Sequence, residues 1–421
     1  MSSRTKSSYN SFHSIKYYTF GILSKTPNLY KYLIILIIQI STQFAFAQKD
    51  NQVLDSILIL RDLANDKNAT LEFRLSYAKR AYELSQTTKV DSTVLKSGQD
   101  LSLLYALNND FKNYKFYNHK NLRLATKLKD SSALALSNES LGYYHYNNSK
   151  NDSAYYYYYN ALKLYTNLKD VPAQVPILNA MADMQETEKD YAGSEKNAIQ
   201  ALKLLEQLPE TDTNLEDSWG FNNLLAVISE RLERREDAIN YYNKAIKISK
   251  KIDNSKYYYL LSLNNLAYTI EGLGELERAL NIYNEVISEE KLIEVEPNLY
   301  IIAIGNVARL KFMIDANNDV EAKNILFNTL KITDSLDDTI NEMGIYGFLA
   351  DIYDKTNMQD SALYYSERQL DLARLTNSNT ERLQALKLLG KLEANEKGVK
   401  YLNEHIRLSD SLLKNERVAR D

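Results

Sequence analysis

Small and apolar positions return along this chain at a step of about 40 residues, and each copy carries one compact pattern. A small residue in one helix is followed twelve positions later by a second small or apolar residue. An aromatic or apolar residue comes four positions after that, and often an alanine three further on. Ala226, Ala238, Tyr242 and Ala245 form one copy; Ala267, Ala279, Tyr283 and Val286 another; Gly142, Ala154, Tyr158 and Ala161 a third. With the second position as anchor, the copies stand at Arg74, Tyr114, Ala154, Ser194, Ala238, Ala279, Ala322, Ala362 and Leu402, at steps of 40, 40, 40, 44, 41, 43, 40 and 40. A fixed period of this length predicts an all-α solenoid of about nine helical hairpins, each burying its apolar stripe against its neighbours.

The first helix of each predicted pair carries a large–small doublet: Leu141-Gly142, Met181-Ala182, Leu225-Ala226, Leu266-Ala267, Leu349-Ala350 and Leu389-Gly390. The copy before Ala322 slips by two, with its small residue at Ala308. Small residues at both points let two antiparallel helices approach closely, and the large neighbour fills the groove between hairpins. Turn-forming residues fall where the two helices of a copy must join, at Asn148 to Asp152, Gly272 to Gly274 and Asn317 to Asp319. The two longer steps coincide with proline-containing stretches, Leu208 to Asn214 and Ile293 to Asn298, as expected of insertions at hairpin joints.

These doublets, the later alanine, the tyrosine four on and the alanine seven on resemble the tetratricopeptide repeat family, over roughly residues 52 to 415. The family period is usually 34; this chain runs near 40, like longer-helix variants, and largely lacks the family's helix-ending proline. The resemblance implies a right-handed superhelix with a groove for peptides or partner proteins. It places groove-lining residues three before, one after and four after the first small position. Here these are Glu139, Tyr143 and Tyr146; Asn179, Asp183 and Glu186; Asn223, Val227 and Glu230; Asn264, Tyr268 and Glu271; and Gly347, Asp351 and Asp354. That set is acidic, amide-rich and aromatic. It lacks the lysines and arginines with which chaperone-type members clamp a C-terminal carboxylate, so it implies an extended basic or polar ligand segment.

Composition narrows the picture. Only 12 Gly and 5 Pro in 421 residues suit a helical chain. The zero cysteine count excludes disulfides, zinc–thiolate sites and cysteine nucleophiles. The first 47 residues hold no acid and five bases, Arg4, Lys6, Lys16, Lys25 and Lys31, then the apolar run Leu33 to Ile40 and Ala45-Phe46-Ala47. This reads as a secretory signal cut after Ala47, with an uncleaved membrane anchor as the alternative. Residues 48–421 then carry 46 Lys and Arg against 55 Asp and Glu, which opposes general nucleic-acid binding. No later stretch has the length and apolarity of a membrane span.

No catalytic or cofactor constellation emerges. His119, His145 and His405 sit in different copies without metal-ligand spacing. Gly272-Leu273-Gly274 begins like a phosphate loop but falls at a hairpin turn and continues into Glu275-Leu276-Glu277. Tyrosine is abundant, at 33 residues, with a run from Tyr155 to Tyr159. Tyr158, Tyr242 and Tyr283 occupy the repeat's aromatic position, whereas a run of five on one helix must also point outward, where tyrosine suits recognition. The ending, Leu408-Ser409-Asp410-Ser411-Leu412, resembles the junction of bacterial membrane sensors whose periplasmic tetratricopeptide repeats lead into a membrane span and a kinase or DNA-binding domain. The expected function is therefore a non-catalytic protein- or peptide-binding scaffold exported to the cell envelope, needing no cofactor. The alternative is the sensory region of a signalling protein.

Overall fold

The computed structural model describes residues 27–253 and 256–420, and it divides after Leu168 into two compact units. The first unit contains α1 (Pro27–Asn65), α2 (Leu71–Thr87), α3 (Asp91–Leu107), α4 (Phe111–Leu128), α5 (Ser131–Tyr146) and α6 (Asn151–Leu168). The second begins with α7 (Val171–Thr187), α8 (Tyr191–Leu205), α9 (Asp212–Arg231), α10 (Arg235–Ser249), α11 (Lys256–Gly272) and α12 (Leu276–Ile287). It continues through the short α13 (Leu292–Val295), then α14 (Pro297–Ile314), α15 (Asp319–Ser335), α16 (Thr339–Lys355), α17 (Gln359–Leu375), α18 (Asn379–Leu392) and α19 (Glu396–Arg420). Among the described residues there is no strand. Helices pair in sequence as hairpins: α1 with α2, α3 with α4, α5 with α6, α7 with α8, α9 with α10, α11 with α12, α14 with α15, α16 with α17 and α18 with α19. The fold is a tetratricopeptide-like α-solenoid.

The forty-residue register is a packing register. Ala154, Ser194, Ala238, Ala279, Ala322 and Ala362 are fully buried, as are Ala182, Ala226, Ala267, Ala308 and Ala350 on the facing helices. Their small size is required. A Cβ on Gly142 would lie 2.7 Å from the Tyr158 ring, so that ring occupies the space a side chain would need. In the fourth hairpin the contact is polar: the Ser194 hydroxyl donates to the Ala182 carbonyl at 2.7 Å. In the second, Tyr114 fills the anchor position and is itself buried.

At the two ends the register changes. Arg74 is only half-buried and its Nε donates to the Ala64 carbonyl at 2.9 Å; Ala78 and Ala81 supply the buried small residues of that helix. In α19, Leu402 remains 41% exposed although it lies over Gly390, and the helix packs instead through Tyr401 and Leu408 against Leu370, Ala385, Leu386 and Leu389.

Turn chemistry explains how the helices end without proline. A non-glycine residue in the left-handed region stops most of them: Lys89, Asn109, Lys129, Ser149, Lys169 and Lys189 in one series, and Asp337, Asn357 and Asn377 in another. Within each series these residues are spaced 20 apart, so turns inside a hairpin and turns between hairpins are built alike. The following N–H reaches back five residues, as in Asp130 to Ala125 (3.0 Å), Asp190 to Gln185 (2.8 Å) and Ser378 to Ala373 (2.8 Å), satisfying carbonyls that the helix end leaves open. An aspartate often comes next and caps the following helix. Asp110, Asp130, Asp170, Asp190 and Asp338 each accept from the backbone N–H three residues on.

The two proline-containing stretches sit at joints between hairpins. Thr211 caps α9 by accepting from the Asn214 N–H at 3.3 Å, and Pro297 opens α14. The largest continuous core, in the second unit, runs from Ala226 through Tyr242, Ala267 and Tyr283 to Leu310.

The N-terminal bases Arg4, Lys6, Lys16 and Lys25 lie outside the described residues. Helix α1 continues from the apolar run, with Leu33 to Ile38 exposed, through residue 47 into the first hairpin. Among the described residues no helix is long and apolar enough to cross a membrane.

Candidate functional site

In the second unit, the first helices of successive hairpins bridge to one another through polar side chains. Asn265 Nδ2 on α11 donates to Asn223 Oδ1 on α9 at 3.2 Å. One turn further, Glu230 of α9 accepts from the Thr269 hydroxyl of α11 and, at 3.4 Å, from Tyr242 of its own hairpin. Arg309 of α14 then grips Glu271 of α11 in a two-pronged pair at 2.5 and 2.6 Å. Lys391 of α18 closes the series on Asp354 of α16 at 2.7 Å. Each bond between hairpins spans 37 to 42 residues, one repeat, because equivalent positions of neighbouring first helices face each other in a stack.

The electrostatics of this row follow from its depth. Burial pushes the Glu230 carboxyl above its ordinary value, partly offset by the hydrogen bonds from Thr269 and Tyr242. Burial likewise raises Asp351, with Lys355 opposing. Burial works against the Arg309 charge, but the hydrogen bonds and charge of Glu271 outweigh it and hold the guanidinium ionised. The two side chains are only 19% and 14% exposed, and Arg309 also lies over the Phe348 ring at 5.2 Å.

The sequence-derived lining residues occupy different depths. In the second unit Tyr268 stands 61% exposed between the Glu230 and Glu271 bridges. Asn179 and Asp183 are exposed on α7, while Asn223, Glu230, Glu271 and Asp351 are half-buried. Asn264 is 7% exposed, with its Oδ1 lacking a hydrogen-bond partner; its neighbour Asn265 makes the inter-hairpin bond instead. Gly347 is buried, and a Cβ there would strike the Gln369 amide at 2.5 Å. In the first unit Tyr143 is exposed, its ring edge-on to Tyr114 at 6.4 Å, and Tyr146 is half-buried. Glu139 there accepts from the Tyr165 hydroxyl at 2.7 Å.

Two cations of this face are absent from the sequence-derived set. Arg309 follows Ala308, and Lys391 follows Gly390, so both occupy the position one after the small residue. The Ala308 copy slips by two, and the Gly390 copy, though in register, contributes no residue to that set. Both cations are engaged by carboxylates.

The remaining candidates resolve simply. His145 stacks on Tyr157 at 5.4 Å and 9°, and His405 Nδ1 lies 3.1 Å from the Leu383 carbonyl. Among the described residues no group of three His, Asp or Glu is placed to hold a metal ion. Gly274, at φ +84°, serves the α11–α12 turn. Of the tyrosine run, Tyr158 is buried on Gly142 and Tyr157 stacks on His145, while Tyr155, Tyr156 and Tyr159 are exposed. The insertion between α8 and α9 walls a cleft of about 520 Å³ floored by Leu202, Leu205, Leu215 and Ile248 and crossed by a Lys251–Glu210 ion pair at 2.7 Å.

No protein-family model matches this chain, and no curated protein is significantly similar to it. Solved structures do share its fold. The apo form of RapI is 14% identical, with 87% of this chain and 99% of that one covered and a TM-score of 0.62. Aspartyl phosphate phosphatase F from Bacillus subtilis is 12% identical, covering 86% and 93%, with a TM-score of 0.56. The apo quorum sensor NprR from B. thuringiensis is 17% identical, covering 79% and 92%, with a TM-score of 0.54. At these identities the likeness is one of fold.

Proposed function

We propose that this chain is a non-catalytic protein- or peptide-binding scaffold, exported to the cell envelope, whose second unit takes an extended basic or polar segment along the first-helix face. The observation that carries this reading is the polar row from Asn223 to Lys391 with Tyr268 standing clear of it. The packed core is mostly apolar; this row is polar, recurs between three pairs of neighbouring hairpins and lies beside an exposed aromatic, the kind of residue that anchors interfaces. Its exposed and half-buried carboxylates, Asp183, Glu186 and Asp351, favour a cationic ligand.

The test is site-specific photo-cross-linking in cells. A photoreactive residue at Tyr268 or Asp183 is expected to capture a discrete partner. One at Tyr364, exposed on the second helix α17, is not. Equal capture from all three positions would overturn the assignment. Export is tested separately: the mature N-terminus is expected at Gln48.

A sensory role is the second reading. It is favoured by the Leu408–Leu412 stretch and by a quorum sensor among proteins of this fold. Ligand-dependent protection of the α9–α16 face from hydrogen exchange that spreads into α18 and α19 would support it over a passive scaffold.

A further inference from the structure

The two units differ sharply in charge. Residues 169–421 carry 43 acids and 30 bases, whereas residues 48–168 carry 12 acids and 16 bases. The basic excess is concentrated on one element. From Phe111 to Lys129 the chain holds six Lys and Arg, one His and no acid.

On α4 these residues form a line. Lys112, Phe116, Lys120, Arg123 and Lys127 are spaced four, four, three and four apart, so they share one side of the helix, and all five are exposed. The line is about 22 Å long at 1.5 Å per residue. Carboxylates engage the helix at its ends: Asp110 caps its start and Asp91 pairs with Lys127 at 2.5 Å. Among the described residues Lys112, Lys120 and Arg123 have no ion-pair partner.

Like charges three and four apart weaken a helix, so apart from the Lys127–Asp91 pair the line does not serve the helix's own stability. Aromatic rings support it instead. Lys120 lies 4.5 Å above the Phe116 ring and 5.7 Å from Tyr117, and Lys115 lies 4.9 Å above Tyr144. Phe116, 51% exposed, puts an apolar contact in the middle of the cations. The neighbourhood is positive enough to act on other groups. His119 is held below its ordinary range by burial and then by Lys115 and Arg123, and His145 by burial, Lys115 and Lys150.

We infer that the exposed side of α4 is a second docking surface, for a short acidic segment of a partner protein that sets carboxylates against Lys112, Lys120 and Arg123 and an apolar side chain against Phe116. Charge complementarity selects an anionic occupant. The line's length of about 22 Å and the Phe116 ring at its middle select a short segment that also offers an apolar side chain, which a phosphate backbone or a lipid headgroup layer does not present. The surface uses a second helix of the first unit and is independent of the first-helix face proposed above. The chain would thus accept two partners of opposite charge.

The test uses the full chain and a dye-labelled peptide repeating Glu-Glu-Leu, read by fluorescence anisotropy. Binding is expected to weaken about tenfold between roughly 50 and 300 mM salt. The double variant Lys120→Glu, Arg123→Glu, with an unchanged helical circular dichroism spectrum, is expected to lose at least about tenfold more. Lys120→Gln, Arg123→Gln should lose less, and Tyr268→Ala should bind as the parent does. Unchanged binding by the charge-reversed variant would overturn the inference. So would tighter binding, through these same two residues, of phosphatidylglycerol vesicles or a single-stranded oligonucleotide.

Discussion

At the scale of the residue, the turn positions and the buried polar groups make the sharpest predictions. Lys129 and Lys189 hold left-handed backbone at φ 56° and 64°, which glycine adopts without the Cβ penalty. Lys129→Gly and Lys189→Gly are each expected to stabilise by up to about 1 kcal/mol, read as a raised midpoint in urea. Arg309→Ala should do the opposite. It leaves the mostly buried Glu271 side chain without its partner, at a cost of about 3 kcal/mol, and removing both partners together should cost less than the two single changes summed. Burial also sets an alkaline limit. It pushes the Tyr114 phenol up to about 12, and those of Tyr158, Tyr242 and Tyr283 higher still. The native state keeps protons that the unfolded chain releases near the ordinary value of 10. This contribution to stability is whole below pH 10 and is lost as the pH rises through 12 and beyond. Phenolate absorbance and helical ellipticity are therefore expected to change together for the buried tyrosines. Phenolate signal from all of them without loss of helix would show that these side chains are not held as described.

At the scale of the element, each hairpin closes on a small residue facing a large one. Ala238→Trp overfills a fully buried site and is expected to cost about 1–3 kcal/mol, measurable by thermal unfolding. The hairpins are not equally secure. In α19, Leu402 and Ile406 are exposed, so amides of Glu396 to Lys414 should exchange with solvent before those of α9 to α14, where the largest core lies. The sequence pattern located the helices of the middle pairs, because small residues at close contacts repeat whatever the surface does, while at Arg74 and Leu402 the contacts depart from it. Helix ends were another matter. They depend on Lys, Asn, Asp or Ser adopting a left-handed conformation, which no residue type but glycine announces. The site divided in the same way. Tyr268, Glu230 and Glu271 follow from the register, whereas Arg309 was hidden by a two-residue slip. The exchange of roles between Asn264 and Asn265 turns on a rotation of one residue along α11, finer than a forty-residue period resolves.

At the scale of the molecule, two units of one chain carry opposite net charge, with polar rows on different helix types, which accords with the two docking surfaces proposed above. Salt should therefore weaken both kinds of partner binding while leaving folding almost untouched, since the cores are apolar and tyrosine-rich; denaturant midpoints at low and high salt would check this. The twenty-residue spacing of the turns carries a consequence of its own. Within each series first and second helices end on the same kind of joint, so that part of the chain has a parity but no punctuation to mark it. Excising one joint-to-joint length would splice cleanly and yet send every later helix to the opposite side, turning binding faces into backs. Only excisions of an even number of such lengths preserve which side reads the partner. Natural length variants of this architecture should accordingly grow and shrink by forties.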